Sequence, residues 1–109
     1  MDDAYTAENF SRNVNTKFQV NVDPAEAIEL ELVGVEVRQT EPNEQAGMER
    51  FSTFFQGPPN YLLAQQTYEL LHPQMGALQI FLVAIGQDEH GIRYEAVFNR
   101  FKQAEKGSV

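Results

Sequence analysis

AIELELVGVEVR, residues 27–38, alternates apolar and charged side chains as a half-buried strand does, yet the alternation changes phase midway. Ile28, Leu30 and Leu32 occupy even positions, whereas Val33, Val35 and Val37 occupy odd ones. A regular strand would turn one of these sets to water, because successive side chains point to opposite faces. A β-bulge near Val33 and Gly34 returns both sets to one face, and glycine tolerates the geometry a bulge imposes. The opposite face then carries Glu29, Glu31, Glu36 and Arg38. Strong bending at a bulge is how a sheet curls, so this segment predicts a partly open barrel or a small sandwich.

The flanking segments keep the same period of two. KFQVNV, residues 17–22, places Phe18, Val20 and Val22 on one face before a turn at Pro24. Upstream, TAENFSRNV reads as a short helix with Thr6 as N-cap, Glu8 in the first turn, and Phe10 and Val14 on one side. A helix of two turns does not persist alone in water, so Phe10 and Val14 must dock on the sheet. Downstream, residues 39–48 contain Pro42 and Gly47 and predict a long loop. ERFSTFFQ resumes the alternation with Phe51 and Phe55 on one face and Phe54 on the other. Gly57-Pro58-Pro59 stops it, because proline has no N–H for the ladder.

YLLAQ, residues 61–65, reads as an apolar connector with one turn of helix, and TYELLHP as a strand with Tyr68 and Leu70 on one face. ALQIFLVAIG, residues 77–86, is apolar at both parities and predicts a central strand covered on both sides. A turn at Asp88–Gly91 makes an antiparallel hairpin with IRYEAVFNRF. In unbroken register, Phe81, Val83 and Ile85 share a face with Tyr94, Ala96 and Phe98, leaving Glu95 opposite with Val97 and Asn99. The fold class is therefore mainly β (α+β): about six antiparallel strands in a bulged sheet, with one short N-terminal helix covering an opening or face. The expected organisation is one domain over residues 1–109, with an ordered core at roughly 5–101 between polar tails.

Composition narrows the functional classes. Apolar residues make up 42% and charged residues 22%, the balance of a globular chain rather than a disordered one. The absence of cysteine removes disulfides, thiolate nucleophiles and cysteine-bound metals. MDDAYTAENF lacks the apolar core of a signal peptide, and no run approaches the ~18 apolar residues of a membrane span, so a soluble chain, cytoplasmic at synthesis, is expected. The net charge is −8, with eleven acids against three bases before Arg50 and five of each from there on. This asymmetry opposes nucleic acid; it serves first to keep a small domain soluble, and the alternative is a basic partner surface.

The residues that carry chemistry are few. His72 and His90 lie in turns at opposite ends of one strand, on the order of 25 Å apart at ~3.4 Å per residue, so no shared metal is expected. Glu29, Glu31 and Glu36 form an outward acidic surface without the desolvated cleft that paired-carboxylate catalysis needs. Glu95 either is buried by Val97, Ile80 and Leu82, or pairs with Arg93 or another base across the sheet. No serine has a nucleophile-elbow context, and Gly57-Pro58-Pro59 has too few N–H groups to hold a phosphate. No catalytic residue and no cofactor are expected. Phe54, Gly57, Pro58, Pro59, Tyr61 and Leu62 instead form a candidate patch for a protein partner.

FSTFFQGPP at 51–59, QQTYELLHPQMGALQIFLVAIG at 65–86 and YEAVFN at 94–99 resemble an uncharacterised bacterial domain family of unknown function, and the likeness extends over about residues 5–100. The resemblance implies a compact β-rich fold and assigns no activity. Some members of that family are encoded beside tail-fibre-like or collar-domain proteins, a neighbourhood that suggests assembly or surface roles. Where the family has a glycine before its first strand, this chain has Asn15, which tolerates the left-handed conformation. The expected function is a non-catalytic interaction or assembly module, a small subunit or adaptor that binds a protein partner or itself, away from nucleic acid and membrane. The alternative is a barrel binding a small apolar ligand between Tyr68, Phe81, Tyr94 and Phe98; a carboxylate enzyme using Glu95 comes third.

Overall fold

A computed structural model describes residues 4–23, 26–38 and 48–101. The Pro24 turn, residues 39–47 of the expected loop and the tail after Phe101 lie outside the described residues. Within them the chain forms one helix, α1 (Ala7–Arg12), and six strands: β1 (Lys17–Asp23), β2 (Glu26–Arg38), β3 (Met48–Gly57), β4 (Gln66–His72), β5 (Gly76–Asp88) and β6 (Gly91–Phe101). The strands pair antiparallel in the ring order β1-β2-β3-β6-β5-β4. Two residue pairs, Gln19 with Leu71 and Val20 with Leu70, bring β4 back to β1 and close the ring. The expected barrel is thus formed as a single sheet with a short seam.

The bulge in β2 falls where the phase slip put it. Leu32 faces Phe55 and Gly34 faces Phe54, leaving Val33 as the extra residue. Ile28, Leu30 and Leu32 are buried before it, and Val35 packs on the core after it. The return of the second set is only partial, since Val33 is the unpaired residue of the bulge and Val37, near the end of the strand, is 60% exposed. The first set, at about 1.5–3 kcal/mol for each large apolar side chain buried, carries most of the stabilisation from this strand.

A second bulge was not expected. The β5–β6 turn does join Asp88 to Gly91, but the register shifts between Ala84 and Gly86, so Ile85 is the extra residue and Ala84 faces Tyr94. Val83 therefore faces Glu95 on the outside of the barrel. The expected grouping of Phe81, Val83 and Ile85 with Tyr94, Ala96 and Phe98 is incorrect. Leu78, Ile80 and Leu82 are buried instead, while Phe81 and Ile85 are each 48% exposed. Nor is β5 covered on both sides: a single ring has one interior, and among the described residues no second layer lies over its outer wall.

Helix α1 stops one mouth of the barrel. Thr6 caps it, its hydroxyl accepting the Asn9 N–H at 3.1 Å. Phe10, fully buried, sits 5.4 Å from Phe98 and 6.0 Å from Phe51, which stack on each other at 4.9 Å. The Tyr5 hydroxyl accepts the Gln79 N–H of β5 at 2.9 Å. After the helix, Asn15 adopts φ 74°, the left-handed conformation its type tolerates, and its N–H donates to the Leu32 carbonyl at 2.7 Å.

At the same mouth His72 is buried against Phe18, ring centroids 4.4 Å apart. Its Nδ1 accepts the N–H groups of Gln74 at 3.0 Å and Met75 at 3.2 Å, which fixes the turn into β5. The ring proton therefore resides on Nε2, 2.8 Å from the Thr16 hydroxyl, which in turn donates to the Asn13 carbonyl. Burial lowers the imidazole's pKa below its usual value, and protonating Nδ1 would set a proton against two donors. The unfolded chain consequently binds more protons as pH drops. The contribution is complete above the ordinary histidine pKa of about 6.5 and is lost as pH falls through it toward the depressed folded value. Urea unfolding at about pH 7.5 and pH 5.5 is expected to show a loss of stability in the wild type that is smaller in His72→Gln; equal losses would remove His72 from the account.

Candidate functional site

The opposite mouth is stopped by the connector between β3 and β4. Among the described connections it alone joins strands that are not ring neighbours, so residues 58–65 have to cross the opening. They do so without helix, contrary to the turn of helix expected at 61–65. Tertiary bonds replace the helical ones: the Leu63 N–H donates to the Tyr94 hydroxyl at 2.9 Å, and the Tyr68 hydroxyl donates to the Ala64 carbonyl at 2.8 Å. Leu63 is 3% exposed and plugs the mouth, whereas its neighbour Leu62 is 64% exposed. Burial raises the pKa of both tyrosines, and for Tyr68 the nearby Tyr94 and Tyr61 add to the effect. Both phenols thus stay neutral and able to donate.

These contacts reassign the aromatics proposed to line a ligand cavity. Tyr94 and Tyr68 tether the connector, Phe98 packs against Phe10 and Phe51, and Phe81 lies on the outer wall. The sequence offered no signal for the tethers, since they depend on a ring order that brings residues 61–64 over the barrel end.

Two surface grooves flank the connector. One, of about 590 Å³, runs between the start of β2 and the end of β3, with Lys17, Glu26, Glu29, Glu31, Gly57, Pro58, Tyr61 and His90 among its lining. The other, of about 450 Å³, is lined by Pro59, Asn60, Tyr61, Leu62, Ala84, Gly86, Gln87 and Ile92. The β5–β6 turn beside them is braced by Asp88, whose carboxylate accepts the His90 N–H at 2.8 Å and a Gln56 side-chain N–H at 3.2 Å. The His90 bond is the main reason its pKa lies below the usual carboxylate value. Gly91 closes the turn at φ 136°, and a Cβ there would strike the Gly57 carbonyl.

The six residues expected to make one patch are therefore divided. Pro58, Pro59, Tyr61 and Leu62 gather at the mouth, with Tyr61 shared by both grooves. Gly57 is buried below them, where a Cβ would lie 2.7 Å from Leu30 Cδ2. Phe54 is half-buried on the outer wall, paired with Gly34 and Glu95, and lines neither groove. The acidic surface also splits at the bulge: Glu29 and Glu31 line the first groove, whereas Glu36 faces Ser52 farther along β2.

Glu95 stands on the outer wall with its side chain 22% accessible. Its Oε2 lies 3.2 Å from the Arg38 guanidinium, which also donates to Ser52 Oγ at 2.9 Å. Pairing with a base across the sheet is what forms, although the base is Arg38 rather than Arg93. Ile80 and Leu82 point into the barrel and do not cover the carboxylate, and Val97 is 55% exposed. His72 and His90 sit at opposite mouths, and no group of three metal-ligating side chains occurs among the described residues. No helix among the described residues is long and apolar enough to cross a membrane.

A six-stranded antiparallel barrel, stopped by a helix at one end and a tethered connector at the other, is the class this chain presents. It belongs to the domain-of-unknown-function family DUF6916, which it matches over residues 5–98. Membership of an uncharacterised domain family is thereby established, without an assigned activity. No curated protein and no solved structure matches the chain.

If Tyr94 and Tyr68 hold the connector as described, Tyr94→Phe leaves the Leu63 N–H buried without its acceptor and should cost about 1–3 kcal/mol in urea unfolding. The Leu63 amide should lose its hydrogen-exchange protection selectively, while the paired amides of β3 and β6 keep theirs.

Proposed function

We propose that this chain is a non-catalytic protein-interaction or assembly module, a small subunit or adaptor that binds a partner protein or copies of itself. The observation that carries the reading is the outer wall of β5 and β6. Phe81 and Ile85 are each 48% exposed and Val97 55%, with Val83 half-buried near them. Val83 pairs with Glu95, and Phe81 and Val97 lie two residues farther along their strands, so alternation brings them to the same wall. Isolated exposed apolar residues are ordinary, but a group on one face favours an interface.

The surface has the chemistry of an interface margin as well. Arg38, Ser52 and Glu95 form a small bonded network beside Val83 and Val97. Such a network supplies orientation around an apolar centre. A role for Glu95 in holding this margin fits its pairing with Arg38 better than a role in proton transfer.

Sedimentation velocity over a wide concentration range, together with recovery of stoichiometric partners from the native host, tests the reading. Association or a defined partner is expected in the wild type and its loss in Val97→Lys, with the circular-dichroism spectrum unchanged. Monomer at every concentration with no stoichiometric partner would overturn it.

A further inference from the structure

The two grooves share Asn60 and Tyr61 of the connector in their linings and so adjoin on either side of it, together forming the depressed surface of this mouth. One arm is apolar, formed by Pro59, Leu62, Ala84 and Ile92. The other is acidic, with Glu26, Glu29 and Glu31. Lys17 lies 3.9 Å from Glu29, while Glu26 and Glu31 meet no base within ion-pair distance among the described residues. An apolar groove beside an excess of carboxylates selects for a particular partner chemistry.

We propose that this depression docks an extended segment of a partner protein in which a lysine or arginine stands beside a leucine-like side chain. The apolar side chain packs on Leu62 and Ile92, and the cation is received by Glu29 and Glu31. Charge complementarity favours this occupant: the three carboxylates sit in a chain of net charge −8, whose acids lie mostly in its first half. The field that results draws a basic segment toward the mouth. The surface is also set in place beforehand, since Tyr94 and Tyr68 fasten the connector from inside, which reduces the ordering that binding would require. The apolar groove borders Ile85 of the β5–β6 wall, whereas the acidic groove is built on β2, β3 and the connector, so the carboxylate variants distinguish docking here from self-association through Phe81 and Val97.

The probe is a capped hexapeptide of alternating lysine and leucine, about 20 Å long when extended, titrated into the isotope-labelled full chain and followed by amide NMR shifts. Saturable shifts are expected at Glu29, Glu31, Asn60, Tyr61, Leu62 and Ile92. Binding should weaken with added salt, and roughly fivefold in the double variant Glu29→Gln, Glu31→Gln. Leu62→Ser should weaken it by a similar factor, whereas Glu36→Gln, beyond the bulge, should leave it unchanged. Peptides alternating glutamate with leucine, or lysine with serine, should bind measurably less. Absence of saturable shifts, shifts centred on Phe81 and Val97, or equal weakening by Glu36→Gln would overturn the proposal, the last because it would mean that overall charge alone attracts the peptide.

Discussion

Closing six strands on a seam of only two residue pairs leaves a ring with two mouths, and each mouth exposes the core unless something covers it. Pairing Gln19 with Leu71 and Val20 with Leu70 is what makes β4 a neighbour of β1 instead of an outlying edge. Once that pairing exists, β3 and β4 lie apart in the ring and the chain between them has to cross an opening. The helix at the other end answers the same need. Phe10 packs against the stacked pair Phe51 and Phe98 at one mouth and Leu63 enters at the other, so both stoppers come from segments outside the strands.

The arrangement divides the molecule's labour. Hydroxyl groups that might look reactive in an isolated list are occupied in structural bonds: Tyr94 and Tyr68 with the connector, Tyr5 with β5, and Thr16 between His72 and Asn13. Of these, the Tyr94 hydroxyl satisfies a Leu63 N–H that would otherwise be buried without a partner. What remains for recognition is the outside, where Leu62 rides on a fastened connector and Phe81, Ile85 and Val97 lie on the wall.

The sequence made some of this legible and hid the rest for definable reasons. The bulge in β2 was readable because its apolar residues change parity at Val33, between acids that must face water. The bulge in β5 was not, because residues 80–83 are apolar at both parities and a shift of phase leaves no trace. That single hidden residue, Ile85, reversed the assignment of Phe81 and Val83. Thr6 as a cap and the docking of Phe10 were local enough to infer. The patch around Gly57 was only half right, since Phe54 and Leu62 are close in sequence but lie on different surfaces once β3 ends and the connector turns across the mouth.

The ring closure is tested most directly by proton-proton NOE contacts across the seam. The account predicts backbone contacts linking Gln19 with Leu71 and Val20 with Leu70, alongside those between β3 and β6. A full set of contacts for the other five strand pairs with none between β1 and β4 would show an open sheet, and the need for either stopper would disappear with it.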